Sequence, residues 1–212
     1  MKKLSILIFM LLTILSVGCS NEDNPELNSS SDTALSESDN KTNDQSSNDN
    51  SVDSAFEKWI EQYPNPLSGE KFTEFETLTF DKISIDNSVF ENSEITLINL
   101  WASYCNPCIE EMPELEKLAS EYSLEEFQII GILSDSNNDT SLETAKEIVS
   151  KTNVTYTNIL IDENIINQLL DHFNFVPVTI FVDNKGNILP IHIPGAGNYD
   201  TFKLIVDHLL NK

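Results

Sequence analysis

The spacing of apolar and polar residues divides the chain into three parts. A mainly apolar run extends from Leu4 to Val17. The segment 20–54 is almost entirely Ser, Asn, Asp, Glu and Thr, so it buries too little apolar surface to offset the entropy lost on ordering. From Ala55 onwards, short apolar segments alternate with polar ones, as they do in a folded domain. The pattern therefore predicts three parts: residues 1–18, 19–54 and 55–212.

Within residues 55–212, the spacing predicts alternating strands and helices. The mainly apolar runs "EITLINLWA" (94–102) and "FQIIGIL" (127–133) are typical of strands buried on both faces. Strict alternation predicts half-buried strands in 71–80 and 81–90. Further strands are predicted at 157–162, 178–182 and 187–193, and helices at 55–63, 105–122, 141–152, 163–173 and 199–210. Ser141 is expected to cap the third of these helices.

This order of elements predicts an α/β fold with a central mixed sheet and helices on both faces. The unit 94–133 reads strand, helix, strand, and such a crossover joins parallel strands. The strands 178–182 and 187–193 flank the turn sequence "DNKG" (183–186), which predicts an antiparallel hairpin at one edge. Together these features outline a thioredoxin-like fold.

Two of the three cysteines, Cys105 and Cys108, lie in "LINLWASYCNPCIEEMPELEKL" (97–118), where a helix is predicted to begin. Residues three apart in the first helical turn face the same side, so their sulfurs can form a small disulfide ring. Unpaired N–H groups and the positive end of the helix dipole favour the nucleophilic thiolate at the first cysteine. We therefore expect Cys105 to attack a substrate and the less exposed Cys108 to resolve the mixed disulfide.

Two other interpretations of the cysteine pair are weaker. A purely structural disulfide is disfavoured, because the stabilisation that a disulfide provides falls as the closed loop shortens. A metal site would need further ligands, and His172, His192 and His208 are all distant from the pair in sequence. A CxxC pair within a strand–helix–strand unit is the usual signal of thiol-disulfide chemistry, so we expect no bound metal.

The N-terminus has the features of a secretory signal peptide. Lys2 and Lys3 precede the apolar run, which is shorter than the roughly 20 residues that a membrane span needs. The stretch "LSVGC" (15–19) resembles the lipobox of bacterial lipoproteins, which implies that Cys19 is lipidated and becomes the first residue of the mature protein. An ordinary signal peptide or an uncleaved anchor is the alternative. Each interpretation puts the domain outside the cytoplasm.

The charge of the chain excludes one class of partner. Twelve lysines and no arginine stand against 35 acidic residues, and the net charge is -23. Because phosphate binding needs a basic face, we expect no nucleic-acid partner. Attraction to anionic lipid headgroups is equally unfavourable, so attachment to a membrane would depend on the lipid at Cys19. The polar segment 20–54 is then interpreted as a flexible tether.

Two separate stretches resemble the thioredoxin-like TlpA/ResA family of membrane-anchored thiol-disulfide oxidoreductases. The first is the CxxC segment 97–118. The second is "NFVPVTIFVDNKGNI" (174–188), where the family carries a cis-proline that faces the cysteines. The resemblance extends from about residue 67 to the C-terminus, and it implies a lipid-anchored protein at the extracytoplasmic face of a bacterial cell membrane.

The resemblance implies roles for individual residues. Cys105 would be the nucleophile and Cys108 the resolving thiol, and their redox-active disulfide would serve in place of a cofactor. Pro177 matches the cis-proline. Glu111 matches an acidic residue that can exchange a proton with Cys108 as the disulfide forms and breaks. Substrate contacts are expected at Val176, Trp101 and Tyr104.

The activity implied is the reduction of protein disulfides, for example in cytochrome c maturation or in supplying electrons to a repair reductase. A membrane dithiol is the implied electron donor. Asn99 replaces the buried Asp of cytoplasmic thioredoxins, so proton transfer through that position is not expected.

Two alternative functions use the same or a related fold. The first is a copper-binding module, in which the two thiolates and His172 would be the ligands. The second is a peroxiredoxin-type peroxidase, but that class needs a Thr at the position that Ala102 occupies.

Overall fold

A computed structural model describes residues 46–137 and 139–211. The predicted signal peptide, Cys19 and residues 20–45 of the predicted tether lie outside this part of the chain. No helix within the two described ranges is both long and apolar enough to cross a membrane.

The described residues alternate between strands and helices in the predicted order. In sequence order the elements are α1 (Ser46–Gln62), β1 (Glu76–Leu78), β2 (Ser84–Asp86), a 3-10 helix (Asn87–Asn92), β3 (Ile95–Trp101), α2 (Asn106–Ala119), β4 (Phe127–Leu133), α3 (Asp139–Thr152), β5 (Thr157–Leu160), α4 (Glu163–Ile165) with a following π-helical turn (Ile166–Leu170), β6 (Val178–Asp183), β7 (Ile188–Pro194) and α5 (Tyr199–Leu209).

The central sheet is mixed, with its strands in the order β5-β4-β3-β6-β7. β3, β4 and β5 are parallel, whereas β6 is antiparallel to both of its neighbours, β3 and β7. The parallel part grows from the β3–α2–β4 unit, and the β6–β7 hairpin forms the opposite edge. The predicted α/β architecture is therefore confirmed.

β3 runs through the middle of the sheet and is buried along its whole length. Its side chains alternate between the two faces of the sheet. Ile98 and Leu100 pack in an apolar cluster with the 3-10 helix and the α4 segment, whereas Leu97 packs in a second cluster with α2 and α5. Asn99 and Trp101 share the face of Leu97. The alternation therefore directs these two side chains towards α2, the helix that begins at the CxxC.

α1 begins at Ser46, earlier than the start predicted at residue 55, so the helix includes nine residues of the segment predicted as a tether. The helix and the loop after it pack against the edge strand β7. The indole N–H of Trp59 donates to the His192 carbonyl at 2.9 Å, and the side-chain amide of Asn65 donates to the Leu189 carbonyl at 2.8 Å. A helix anchored at one end extends into polar residues at little cost, because propagation is easier than nucleation.

The two strands predicted at 71–80 and 81–90 are mostly replaced by irregular structure, and they pair with each other only through β1 and β2. The Phe75 N–H donates to the side-chain oxygen of Asn87 at 2.7 Å, and the Asn87 amide donates to the Thr73 carbonyl at 2.8 Å. One side chain thus satisfies backbone groups that a longer strand ladder would have paired. The apolar alternation is real, but it does not require a continuous ladder.

Two helix predictions also need correction. α3 begins at Asp139, so Ser141 lies inside the helix and is not its cap. The helix predicted at 163–173 is divided into α4 and the π-helical turn. Its start is capped by Asp162, whose carboxylate accepts a hydrogen bond from the Ile165 N–H at 2.7 Å. Apolar spacing alone does not distinguish an α-helical from a π-helical turn.

Candidate active site

β3 and the loop after it bring the first cysteine to the start of α2. The strand is held between β4 and β6 up to its end at Trp101. In the loop, the Asp135 carboxylate accepts hydrogen bonds from the N–H of Ser103 at 3.0 Å and from its hydroxyl at 2.6 Å. The Cys105 N–H donates to the Ala102 carbonyl at 3.1 Å. These bonds fix Cys105 as the N-cap residue of α2.

Cys105 and Cys108 are joined by a disulfide with an S–S distance of 2.00 Å. The Cys108 N–H donates to the Cys105 Sγ at 3.2 Å; it belongs to the first helical turn, where N–H groups lack a helical acceptor. Cys108 is fully buried, and 6% of Cys105 is exposed. Cys105 is more exposed than Cys108, as predicted, but its exposed fraction is smaller than the role of an attacking thiol led us to expect. A partner therefore meets only a small exposed part of Cys105.

The segment before β6 lies against this disulfide. The Val176–Pro177 peptide bond is cis, as the family resemblance implies. The Sγ of Cys105 lies 3.6 Å from the carbonyl oxygen of Val176, although the two residues are 71 positions apart in sequence. Val176 is partly exposed and Pro177 is buried. The structure thus brings the two sequence motifs, the CxxC and the later proline, into contact.

Glu111 is buried on α2, one turn beyond Cys108. Its carboxylate accepts hydrogen bonds from the Asn99 side-chain amide at 2.9 Å and from the Gly197 N–H at 2.9 Å. Burial raises the pKa of Glu111 from 4.5 to about 7, against the smaller opposing effect of these two bonds. A carboxyl group with this pKa can hold or release a proton near neutral pH, as acid–base chemistry requires.

Asn99 connects Glu111 to the neighbouring strand. Its Nδ2 also donates to the Thr179 hydroxyl oxygen at 3.2 Å, while its buried Oδ1 has no hydrogen-bond partner. A half-turn of the amide exchanges the two atoms, and oxygen and nitrogen are close to isosteric. Oδ1 would then accept from a protonated Glu111 and from the Thr179 hydroxyl. The Asn99 side chain can therefore match either protonation state of the carboxyl group.

Trp101 is fully buried, so the expectation that it contacts the substrate is wrong. Its indole N–H donates to the Asn158 side-chain oxygen at 3.0 Å, and its ring packs in the apolar cluster that contains both cysteines. Gly131 leaves room for this pair, because a Cβ at that position would overlap the Asn158 side chain. Trp101 supports the disulfide from within the core.

Tyr104, the residue before Cys105, is 75% exposed and lines a cavity of about 280 Å³. The other residues lining this cavity include Asp135, Phe173, Phe175 and Val176. Because the Val176 carbonyl lies against the sulfur of Cys105, the cavity opens beside the disulfide. Neither cysteine lines this cavity or a larger one of about 470 Å³ between β5, α3 and the loop 79–83, but the smaller one is lined by Tyr104 and Val176, which adjoin Cys105. We therefore take the smaller cavity as the one relevant to the redox site.

The histidines do not add a ligand to the cysteine pair. His192 lies in β7, His208 stacks on Phe56 with ring centroids 3.9 Å apart, and His172 is exposed beyond the π-helical turn. In the part of the chain that the structure describes, no three His, Cys, Asp or Glu side chains are grouped so that they could hold a metal ion. The copper-binding alternative therefore gains no support from the geometry.

Comparison with known proteins assigns a family. Residues 67–201 match the family described as Redoxin. The chain belongs to the Redoxin family. The thioredoxin-like protein YneN of Bacillus subtilis (strain 168) is 33% identical over 120 residues, which are 55% of this chain and 65% of YneN. The thiol-disulfide oxidoreductase ResA of Halalkalibacterium halodurans is 29% identical over 130 residues, which are 60% of this chain and 69% of ResA.

Solved structures agree with this assignment at the level of the fold. The solution structure of a thiol:disulfide interchange protein from Bacteroides sp. matches with a TM-score of 0.56 at 19% identity, over 68% of this chain and 91% of that one. The fold is therefore thioredoxin-like, as predicted. With YneN and ResA among its relatives, this Redoxin-family chain is a thioredoxin-like thiol-disulfide oxidoreductase of the TlpA/ResA type.

Three residues of the site were not predicted from the sequence. Thr179 pairs with Asn99 in the β3–β6 register, so only knowledge of that register would have revealed it. Gly197 contributes its main-chain N–H, which leaves no signal in the side-chain pattern. Phe175 had a signal: it is an aromatic residue two positions before the predicted cis-proline, in a segment with no helical or strand periodicity.

Proposed function

We propose that this Redoxin-family protein reduces disulfides in other proteins by thiol-disulfide exchange. The observation that carries the proposal is the position of the Cys105–Cys108 disulfide, at the start of α2 and against the Val176 carbonyl. An extended substrate segment can form hydrogen bonds with the backbone of Val176, as a strand does when it adds to the edge of a sheet. This pairing would hold the substrate sulfur next to Cys105.

The first step is attack by the Cys105 thiolate of the reduced protein on one sulfur of a substrate disulfide. A bond forms between Cys105 and that sulfur, and the second substrate sulfur leaves as a thiolate and takes up a proton. Before the attack, the Cys108 N–H and the dipole of α2 stabilise the thiolate. No cofactor takes part, because the two thiols carry both electrons.

In the second step Cys108 attacks the Cys105 sulfur and releases the substrate as a second thiol. Glu111 takes the proton that Cys108 must lose, and Asn99 stabilises whichever form of the carboxyl group results. Two electrons have then passed to the substrate, and its two sulfurs have taken up protons from solvent. Cys105 gave up its own proton to solvent when its thiolate formed and Cys108 gave its proton to Glu111, so the protein now holds the Cys105–Cys108 disulfide. An external dithiol restores the reduced form by the reverse exchange and becomes a disulfide itself.

We propose that the enzyme acts at the extracytoplasmic face of a bacterial membrane and is held there by a lipid on Cys19. The apolar run, the lipobox resemblance and the polar segment after it support this location. A membrane dithiol would supply electrons. Candidate substrates are an apocytochrome c that awaits haem attachment and an oxidised repair reductase.

The trapped intermediate tests the assignment of the two cysteines. Reduced Cys108→Ser protein, mixed with a disulfide-bearing protein such as insulin, should accumulate a covalent mixed disulfide through Cys105. Cys105→Ser should trap nothing, and the unmodified protein should release reduced insulin chains. Trapping through Cys108 instead, or no exchange by the unmodified protein, would overturn the proposal. Stoichiometric Cu(I) binding without exchange would favour the copper-binding alternative.

The reduction potential tests the direction of electron flow. Equilibration of the protein with dithiol buffers of known potential gives this value. A potential near that of thioredoxin, about -270 mV, or lower is expected for a reductant. A reduction potential of about -120 mV would instead identify an oxidant.

A further inference from the structure

The cavity beside the disulfide has an apolar wall that the exchange chemistry does not use. Tyr104 is 75% exposed and Phe175 is 46% exposed, and both line the cavity. Phe173, which is buried, also contributes to the lining. Large aromatic side chains exposed around a cavity are typical of a surface that binds a partner. An apolar side chain seated here would remove both exposed rings from water.

The charged side chains among the lining residues of the cavity and their sequence neighbours are carboxylates. No lysine lines the cavity or lies next to a lining residue in sequence. The Asp135 carboxylate lines the cavity, and Asp171 is exposed directly after the lining residue Leu170. A negatively charged rim attracts basic segments and disfavours acidic ones.

We infer that the preferred substrate is an extended segment with an apolar side chain next to its reactive cysteine and basic residues close by. The inference rests on the proposed function, because it describes the substrate of the same site. The contact between the Cys105 sulfur and the Val176 carbonyl fixes where the substrate sulfur binds. The neighbouring side chain of the substrate then enters the cavity between Tyr104 and Phe175, and its basic residues face Asp135 and Asp171.

Four disulfide-linked peptides test the two parts of this inference separately. Each peptide has either Phe or Ala next to its cysteine, and either Lys or Glu at positions further along the peptide, which gives four combinations. The second-order rate constant for reduction by the reduced protein is measured in a single turnover, and it is divided by the rate for the same peptide with dithiothreitol. This division removes the intrinsic reactivity of each peptide. The Phe/Ala ratio should be about tenfold, and the Lys/Glu ratio should exceed one and fall as salt is added.

Variants of the cavity should alter one ratio each. Phe175→Ala and Tyr104→Ala should lower the Phe/Ala ratio towards one, and Asp171→Asn should lower the Lys/Glu ratio. Because each ratio is measured within one variant, a general loss of activity does not affect it. The matched control is Glu57→Gln, an exposed carboxylate on α1, which should leave both ratios unchanged.

The outcomes separate this inference from the proposed function. Ratios near one in the unmodified protein, or ratios that Phe175→Ala and Asp171→Asn leave unchanged, would overturn the inference while exchange itself continues. A protein that reduces none of the four peptides, like the Cys105→Ser control, would overturn the proposed function and with it the inference.

Discussion

At the scale of single residues, Glu111 makes the stability of the protein depend on pH. Burial raises its pKa from 4.5 to about 7, so the folded protein keeps a proton over a pH range in which the unfolded chain has lost it. Stability must then fall as the pH rises from about 4.5 to 7, by about 3 kcal/mol in total, and level off above. Glu111→Gln, which stays neutral, should remove most of this loss.

Urea denaturation of the oxidised protein at a series of pH values from 4 to 9 measures this effect. The matched control is Glu110→Gln, the neighbouring exposed carboxyl group, whose curve should follow that of the unmodified protein. If Glu111→Gln gives the same slope of stability against pH as the unmodified protein, Glu111 does not hold a proton at neutral pH, and its role in the second step is lost.

The sequence alone indicated the residues that carry reactive groups, and it did not indicate the residues that surround them. Cys105, Cys108 and Glu111 were identified because thiols and carboxyl groups near a predicted helix start imply particular chemistry. The hydrogen bond from Thr179 depends on strand register, and the one from Gly197 on the path of a loop. Neither is a property of local composition, so only the folded arrangement reveals them.

At the scale of secondary-structure elements, α1 is expected to stabilise the edge of the sheet. It precedes the residues matched by the Redoxin family, yet Trp59 donates to the carbonyl of His192 in β7. Trp59→Ala should lower the free energy of unfolding by about 2 kcal/mol, somewhat less than for a fully buried aromatic residue. Urea unfolding monitored by circular dichroism measures the difference.

Lys58→Ala, at an exposed position of the same helix, is the matched control and should change stability little. An equal and small effect of Trp59→Ala and Lys58→Ala would mean that α1 is only loosely associated with β7. Shortening the protein to the residues matched by the family would then be harmless, whereas the contacts described here predict a loss of stability.

Elements with a large buried fraction were predicted most accurately. β3 and β4 fall where continuous apolar runs stand in the sequence, because a strand covered on both faces has no need of polar positions. The short pairing of β1 with β2 and the early start of α1 were missed. In both places a few hydrogen bonds from Asn87, Trp59 and Asn65 determine the local structure, and such bonds leave no periodic signal.

At the scale of the whole molecule, the N-terminal residues are predicted to determine where the enzyme acts. The full chain expressed in a bacterial host should be recovered with the membrane fraction and should incorporate labelled fatty acid. Cys19→Ala should lose the label, because the thiol that carries the lipid is absent. Label retained in Cys19→Ala, or unmodified protein found unlabelled, would contradict the lipoprotein interpretation.

Alkylation of the reduced protein distinguishes a reactive Cys105 thiol from a protected Cys108 thiol. The reduced protein is treated with iodoacetamide at pH values from 6 to 9, and the modification of each cysteine is followed by peptide mass spectrometry. We expect Cys105 to react rapidly well below pH 8 while Cys108 reacts slowly throughout. Equal rates at the two cysteines at pH 6, or faster reaction at Cys108, would contradict this expectation.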